Sequence, residues 1–138
     1  MKKILLLLSF FSILTACDAI LDEVVECIVN RRPVLSNNKL DSGRNDTYYS
    51  NKIWAEIKNE PKDDNYYYNF SYRGDLPNGI NIIFEDREVY IEGVPRETGR
   101  FKITIHVSVD ARYYNEDGDI EDPLCSSSDS KTYTLIIR

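Results

Sequence analysis

Histidine and cysteine, which often supply catalytic groups and metal ligands, are scarce in this 138-residue sequence, with one and three copies. The single histidine, His106, lies in an alternating stretch between Thr104 and Ser108. A hydrolytic triad needs a nucleophile and a carboxylate held around the histidine, and no nucleophile-elbow motif occurs. We therefore expect His106 to be a surface residue and the protein not to be an enzyme.

No apolar run in the sequence is long enough to span a bilayer stably. The run from Ile4 to Leu14 follows two lysines and ends in small residues, which is the pattern of a secretory signal peptide. Residues 14–17 read Leu-Thr-Ala-Cys, which resembles the lipobox of bacterial lipoproteins. The alternative is an ordinary signal peptide that a cysteine follows by chance.

The lipobox resemblance implies that residues 1–16 are removed and that Cys17 carries lipid. Three acyl chains, at about 0.8 kcal/mol per buried methylene, form an effectively permanent anchor. This predicts a protein held to a membrane of the bacterial cell envelope, facing the periplasm or the cell surface.

The charge balance is acidic. Without the two signal-peptide lysines, the 17 basic residues fall to 15 against 23 acidic ones, a net charge of −8. This argues against nucleic acid and anionic lipid surfaces as partners, and it would steer a basic partner toward the protein. The alternative is that excess acid only keeps a tethered domain soluble.

Two cysteines remain after lipidation, Cys27 and Cys125. In an oxidising compartment they allow one intramolecular disulfide, which would stabilise the fold by about 4–5 kcal/mol for a loop of this length. Two distant thiols and one histidine are too few ligands for a zinc site. We therefore predict a Cys27–Cys125 disulfide and no transition-metal cofactor.

Residues 17–30 form the predicted leader. Its apolar residues recur at helical spacing, with acidic residues opposite, so we expect a short helix docked on the domain and pinned through Cys27. The alternative is a disordered leader, because helices this short are marginal without packing. The apolar positions are Ile20, Leu21, Val24, Val25 and Ile28.

Alternation of apolar and polar residues, the period of a half-buried strand, recurs through residues 31–138. It is strongest over 101–110 and covers 49–59, 66–73 and 131–138. In the segment 49–59 the alternation places Ile53 and Ile57 inward and Trp54 outward. With glycine and proline turns between the segments, this predicts an all-β, antiparallel sandwich of about seven strands.

Three linked motifs occur in order within this region: Leu76-Pro77-Asn78-Gly79-Ile80, Ile91-Glu92-Gly93-Val94-Pro95 and Gly99-Arg100-Phe101. They resemble the signature of immunoglobulin-like, cadherin-like domains of bacterial surface and secreted proteins. The resemblance implies an immunoglobulin-like β-sandwich over residues 31–138. Such domains bind or space other molecules, so it names a scaffold and not a ligand.

The segment 111–130 is longer than the hairpin usual in that family, and it combines two tyrosines with an acidic run. Tyrosine is favoured at binding hot spots, and loops carry much of the function of sandwiches. We predict a partner-binding surface centred on Tyr113, Tyr114, Asp117 and Asp119, with Trp54 as a second candidate. A disordered acidic loop without a task is the alternative.

The acidic run also suggests calcium, which binds six to eight oxygens on a turning loop. Aligning Gly118 with the sixth position of a helix-loop-helix calcium loop puts Tyr113 where the first aspartate should be, so that match fails. We favour a solvated loop and expect no cofactor. The candidate ligands would be Asp117, Asp119, Glu121 and Asp122.

Two functions of different classes fit these features. The first is a non-catalytic, lipid-anchored adhesion or scaffold module that binds an unknown protein or polysaccharide. The second is a periplasmic inhibitor or immunity protein that neutralises a basic toxin or hydrolase, since a charged insert can plug a cationic cleft. An enzyme ranks third, and it would require a convergent polar pocket around His106.

Overall fold

The computed structural model describes residues 29–112 and 124–138, which form seven strands and one short 3₁₀ turn, Asp63–Asn65. All neighbouring strands within the two sheets pair antiparallel. The strands are β1 (Arg32–Leu35), β2 (Tyr49–Lys58), β3 (Tyr66–Gly74), β4 (Ile80–Glu85), β5 (Glu88–Gly93), β6 (Gly99–Ala111) and β7 (Ser128–Ile137).

The strands form two sheets, with orders β1-β2-β5-β4 and β3-β6-β7. This is the strand order of a constant-type immunoglobulin domain. The predicted fold class, an antiparallel immunoglobulin-like sandwich of about seven strands, is therefore confirmed. The predicted leader helix lies outside the described residues except for Val29 and Asn30. No helix within the described ranges is long and apolar enough to cross a membrane.

The core lies between the sheets and follows the alternation of the sequence. Ile53 on β2 and Ile103, Ile105 and Val107 on β6 are fully buried, as the sequence predicts. Each fully buried aliphatic side chain contributes about 1.5–3 kcal/mol relative to an exposed one. The intervening polar residues face solvent, and Trp54 and His106 project outward with them.

Two glycines of the sequence signature meet where β4 starts and β5 ends. Gly79 has a φ of 87°, and a Cβ there would lie 2.1 Å from the Val94 carbonyl oxygen. Gly93 has a φ of 141°, and its Cβ would lie 2.1 Å from the Gly79 carbonyl oxygen. The signature therefore has a physical basis, because a Cβ at either glycine would collide with a carbonyl of the other segment.

One side of the sandwich, which we call the closed side, joins β1 to β7. The Leu35 N–H donates to Asp129 Oδ2 at 2.9 Å, and the buried Tyr133 hydroxyl donates to the Ser36 carbonyl at 2.8 Å. Gly43, before β2, forms a parallel bridge with Ile137. The opposite, open side lies between the edge strands β3 and β4, which are not paired with each other.

Candidate functional site

Trp54 lies on the outer face of the β1-β2-β5-β4 sheet and is 40% exposed, which confirms its predicted outward direction. Glu88 lies directly opposite it on β5, so Tyr90 is its diagonal neighbour. Tyr90 lies opposite Ile83 on β4, and Val34 on β1 is the diagonal neighbour on the other side. Diagonal pairs are within reach of aromatic side chains. We call this row, Val34, Trp54, Tyr90 and Ile83, the Trp54 face.

Trp54 lines two grooves that differ in charge. On the side of β4 and β5, a groove of about 640 Å³ is lined by Trp54, Tyr90 and mostly acidic residues. On the side of β1, a groove of about 450 Å³ is lined by Arg32, Lys58 and Glu56, and Glu56 belongs to both grooves. The charged residues of the first groove, which we call the acidic groove, are Glu56, Asp63, Glu85, Asp86, Arg87 and Glu88.

Hydrogen bonds fix the aromatic wall of the acidic groove. Lys52 Nζ donates to Glu88 Oε1 at 2.6 Å, and the Tyr90 hydroxyl donates to the other oxygen of the same carboxylate. The bonds from Lys52 and then Tyr90 lower the pKa of Glu88, while the bond to Glu88 raises the pKa of Tyr90. Glu88 therefore stays ionised and holds the Tyr90 ring beside Trp54.

Asp63, in the loop between β2 and β3, forms the floor of the acidic groove at the end of the sandwich. Its Oδ1 accepts from the Ile57 N–H at 3.1 Å and from the Tyr68 hydroxyl, and its Oδ2 accepts from Arg87 Nη1. Burial, followed by the bond to Asp63, raises the pKa of Tyr68. The loop is thereby fixed to the β4–β5 turn, so this part of the groove is preorganised.

Two carboxylates of the acidic groove, Glu56 and Glu85, have no salt-bridge partner within the described ranges. Arg87 instead pairs with Asp63 and lies 3.4 Å from Asp64. Asp86 is 3.9 Å from Arg112 Nη2. The groove therefore keeps a net negative charge that a cationic group would complement.

The predicted centre of the insert, Tyr113, Tyr114, Asp117 and Asp119, lies outside the described residues, as do the calcium candidates Glu121 and Asp122. The described residue before this gap, Arg112, lies at the end of the sandwich that carries the loop between β2 and β3. Arg112 N–H donates to the Asn65 carbonyl at 2.8 Å, and its guanidinium lies 4.6 Å from the centroid of the Tyr67 ring. The insert therefore leaves the sandwich near Asp86 and the acidic groove.

Cys17 and Cys27 also lie outside the described residues, so lipidation and the disulfide stay predictions. Cys125 N–H donates to the Arg31 carbonyl at 2.8 Å. This places Cys125 beside a residue only four positions after Cys27, which is favourable for the predicted pairing.

His106 projects from the outer face of β6, opposite Ser71 on β3 and Ser130 on β7. Among residues 29–112 and 124–138, no group of three histidine, cysteine, aspartate or glutamate side chains is placed to hold a metal ion. The expectation that the protein is not an enzyme stays a prediction.

Two groups that shape the site carry no recognisable signal in the sequence. Asp63 and Arg87 lie in polar segments between strands, although together they fix the floor of the acidic groove. No local pattern identifies them, because their contact joins residues 24 positions apart. Tyr90 alternates outward as expected, but its position beside Trp54 depends on the register between β2 and β5.

No family model matches the sequence, and no curated protein matches it. Among solved structures, titin domain M7 is similar to this chain at 11% identity, covering 78% of this chain and 95% of the domain, with a TM-score of 0.46.

An endo-fucoidan hydrolase from glycoside hydrolase family 107 is similar at 14% identity, with 77% of this chain, 13% of the hydrolase chain and a TM-score of 0.47. Domains 4 and 5 of the S-layer protein SbsC are similar at 10% identity, with 76% of this chain, 53% of that chain and a TM-score of 0.43. The immunoglobulin-like class is assigned here from the strand order of the two sheets.

Proposed function

We propose that this chain is a lipid-anchored, non-catalytic binding or scaffold module of the bacterial cell envelope. The observation that carries the proposal is the Trp54 face, which holds Trp54 and Tyr90 side by side on the outside of a sheet. Trp54 is exposed and Tyr90 is half-buried, and tryptophan and tyrosine are enriched at the hot spots of protein-binding surfaces.

The partner class that we propose is a protein with a basic surface. Glu56 and Glu85 supply unneutralised negative charge, and Trp54 supplies flat apolar area and a π face for a cation. The lipid on Cys17 would concentrate the module at the membrane, where an envelope partner meets it.

The test uses the full chain as bait for proteins of the source cell's envelope. We expect a partner that binds wild type and whose affinity for Trp54→Ala is roughly tenfold lower, which is the effect of removing a moderate hot spot. The affinity of the same partner should be lower for the double variant Glu56→Gln/Glu85→Gln, and it should also fall when salt is added.

The matched control is Tyr48→Ala, which removes a 63% exposed aromatic residue just before β2, outside both groove linings, and should leave binding intact. Equal capture by wild type and Trp54→Ala would refute the assignment of the surface. Binding that survives protease treatment of the envelope extract would replace the protein partner with a polysaccharide.

The acidic groove also favours the second candidate, an inhibitor or immunity protein for a basic toxin or hydrolase. In that case the captured protein is a single enzyme, bound at one-to-one stoichiometry and inhibited in a Trp54-dependent manner. A captured partner that keeps its full activity in the complex would eliminate the inhibitor and leave the adhesion or scaffold role.

A further inference from the structure

β4 is an edge strand with hydrogen-bonding groups directed away from the sheet. It pairs with β5 through a two-residue turn, Asp86-Arg87, closed by Glu85 opposite Glu88. The closing pair of such a hairpin is hydrogen-bonded, and the bonded side alternates along the strand. The main-chain groups of Ile82 and Phe84 therefore point to the free edge.

An observed bond on the far side of β5 fixes this alternation. Ala55 N–H donates to the Arg87 carbonyl at 2.9 Å, so Arg87 faces β2 and the next residue, Glu88, faces β4. The phase is the one that leaves Ile82 and Phe84 outward-directed. At the start of the strand, the Ile80 N–H already donates to the Pro77 carbonyl at 3.1 Å.

The inner face of β4 is apolar, and its outer face carries Ile83 between Asn81 and Glu85. Ile83 on the outer face is 45% exposed, and Phe84 on the inner face is 40% exposed. The Phe84 ring stacks on Phe70 of β3 with centroids 5.8 Å apart, and this contact covers only part of it. The strand contains no proline or lysine, the residues that usually block pairing at an edge.

We propose that β4 pairs antiparallel with β4 of a second copy of this chain, about a twofold axis at Ile82. In this register Ile82 lies opposite Ile82, Phe84 opposite Ile80, and Ile83 opposite Asn81. Each Phe84 N–H meets the Ile80 carbonyl of the other copy. The register overlaps residues 80–84 of both copies, four of which are apolar, and brings the free main-chain groups of both strands together.

The charges at the ends of the strand are complementary in this register. Glu85 of each copy lies opposite Gly79 of the other, and Arg96 Cγ lies 3.4 Å from where a Gly79 Cβ would be. Arg96 pairs with Asp46 in an exposed contact of 3.1 Å, so its guanidinium is accessible. The nearby Glu97 carboxylate already accepts a bond from Asn78 N–H at 2.7 Å.

The pairing would join two four-stranded sheets into one continuous sheet. Because the twofold axis is perpendicular to that sheet, both Trp54 faces point in the same direction. A partner with repeated sites would then meet two binding faces at once and gain avidity without any new contact.

The experiment introduces two thiols that face each other only across the proposed interface, by Asn81→Cys/Ile83→Cys in the full chain. Position 81 of one copy would lie opposite position 83 of the other with Cα atoms about 4.5 Å apart, which suits a disulfide. Mild oxidation of cells should give a reducible covalent dimer on non-reducing electrophoresis.

Ile83→Cys alone is the matched control, because its thiols lie opposite asparagine, and wild type gives the baseline from the native cysteines. Adding Ile82→Pro to the double variant removes an N–H that β5 does not use and should abolish the crosslink. Adding Ile82→Val instead, which keeps the N–H, should not. No dimer from the folded double variant, or equal crosslinking by the single variant, would overturn the proposal.

Discussion

The closed side and the open side of the sandwich both end in edge strands, but they treat those edges differently. On the closed side, β1 carries Pro33, which has no N–H, and its Leu35 N–H is bonded to Asp129. Gly43 N–H donates to the Ile136 carbonyl, and Arg138 N–H donates back to Gly43. These contacts leave little at this side for another strand to pair with.

On the open side, contacts between aromatic rings join the two sheets. Phe84 from one sheet contacts Phe70 and Tyr72 from the other, with centroids 5.8 and 6.5 Å apart. Ring contacts cover apolar surface but leave main-chain groups unpaired. The difference indicates that the closed side serves stability, whereas the open side is where the fold is available for association.

The largest effect is expected where β4 is fixed to β5 at the signature glycines. Gly79→Ala should destabilise the protein by about 3 kcal/mol or more, because the Cβ meets the Val94 carbonyl in a strained backbone region. Urea unfolding followed by circular dichroism measures the change.

Gly99→Ala is the control for this prediction. Gly99 also has a positive φ, 153°, but an added Cβ would meet only the Phe101 ring at 3.3 Å. Gly99→Ala should therefore lower the free energy of unfolding by clearly less than Gly79→Ala does. If both variants lose the same stability, the close approach of Gly79 to Val94 is not what the signature preserves.

The next effect compares the same chemical change on the two sides. Tyr133→Phe on the closed side removes a buried hydrogen bond and leaves the Ser36 carbonyl unsatisfied, which should cost about 1–3 kcal/mol. Tyr72→Phe on the open side, at a 43% exposed residue, should change stability little. The denaturant midpoints of the two variants measure their losses of stability. Equal losses of stability would contradict the distinction between the sides.

A pH effect follows from the same buried tyrosine. Burial raises the pKa of Tyr133 to about 12, and burial followed by the charge of Asp41 raises that of Tyr49 to about 12. In the unfolded chain both tyrosines ionise near their ordinary pKa of 10.0, so between pH 10 and about 12 the folded state binds more protons than the unfolded state.

Stability should therefore be unaffected by these groups below pH 10 and fall as pH rises toward 12. Tyrosinate absorbance followed together with circular dichroism tests this. Tyr133→Phe should remove part of the alkaline decrease. Ionisation of all tyrosines near pH 10 while the fold persists would contradict the prediction.

The sequence predicts which side chains face the core, and does so well, because the period of a strand assigns alternate residues to opposite faces. Ile53, Trp54 and Ile103 all lie on their expected faces. The signature also located the β4–β5 region, since Gly79 and Gly93 are required by backbone geometry.

Neighbour relations between strands could not be read in the same way. The closed and open sides differ through Asp129, which is 94 positions from Leu35, and Tyr133, which is 97 from Ser36. Alternation carries no information about such distant partners. For the same reason the sequence predicts that Trp54 faces outward, but it does not predict that Tyr90 is its neighbour or that an acidic groove lies beside it.

The smallest expected effect concerns Trp54, whose two grooves face the two sides of the sandwich. The groove toward β4 and the open side is acidic, and the groove toward β1 contains Arg32 and Lys58. Trp54 is the only tryptophan in the sequence, so its fluorescence reports this position alone. At 40% exposure it should be accessible to ionic quenchers.

Because unneutralised carboxylates line the larger groove, the ratio of caesium to iodide quenching at low ionic strength should be higher for Trp54 than for a neutral tryptophan derivative, and added salt should reduce the difference. Glu56→Gln/Glu85→Gln should shift the ratio toward iodide without affecting the fold, since both side chains lack a salt-bridge partner within the described ranges. Arg32→Gln/Lys58→Gln should shift the ratio the other way. Identical ratios in all three proteins would mean that neither groove sets the charge around Trp54, and the preference for a basic partner would lose its support.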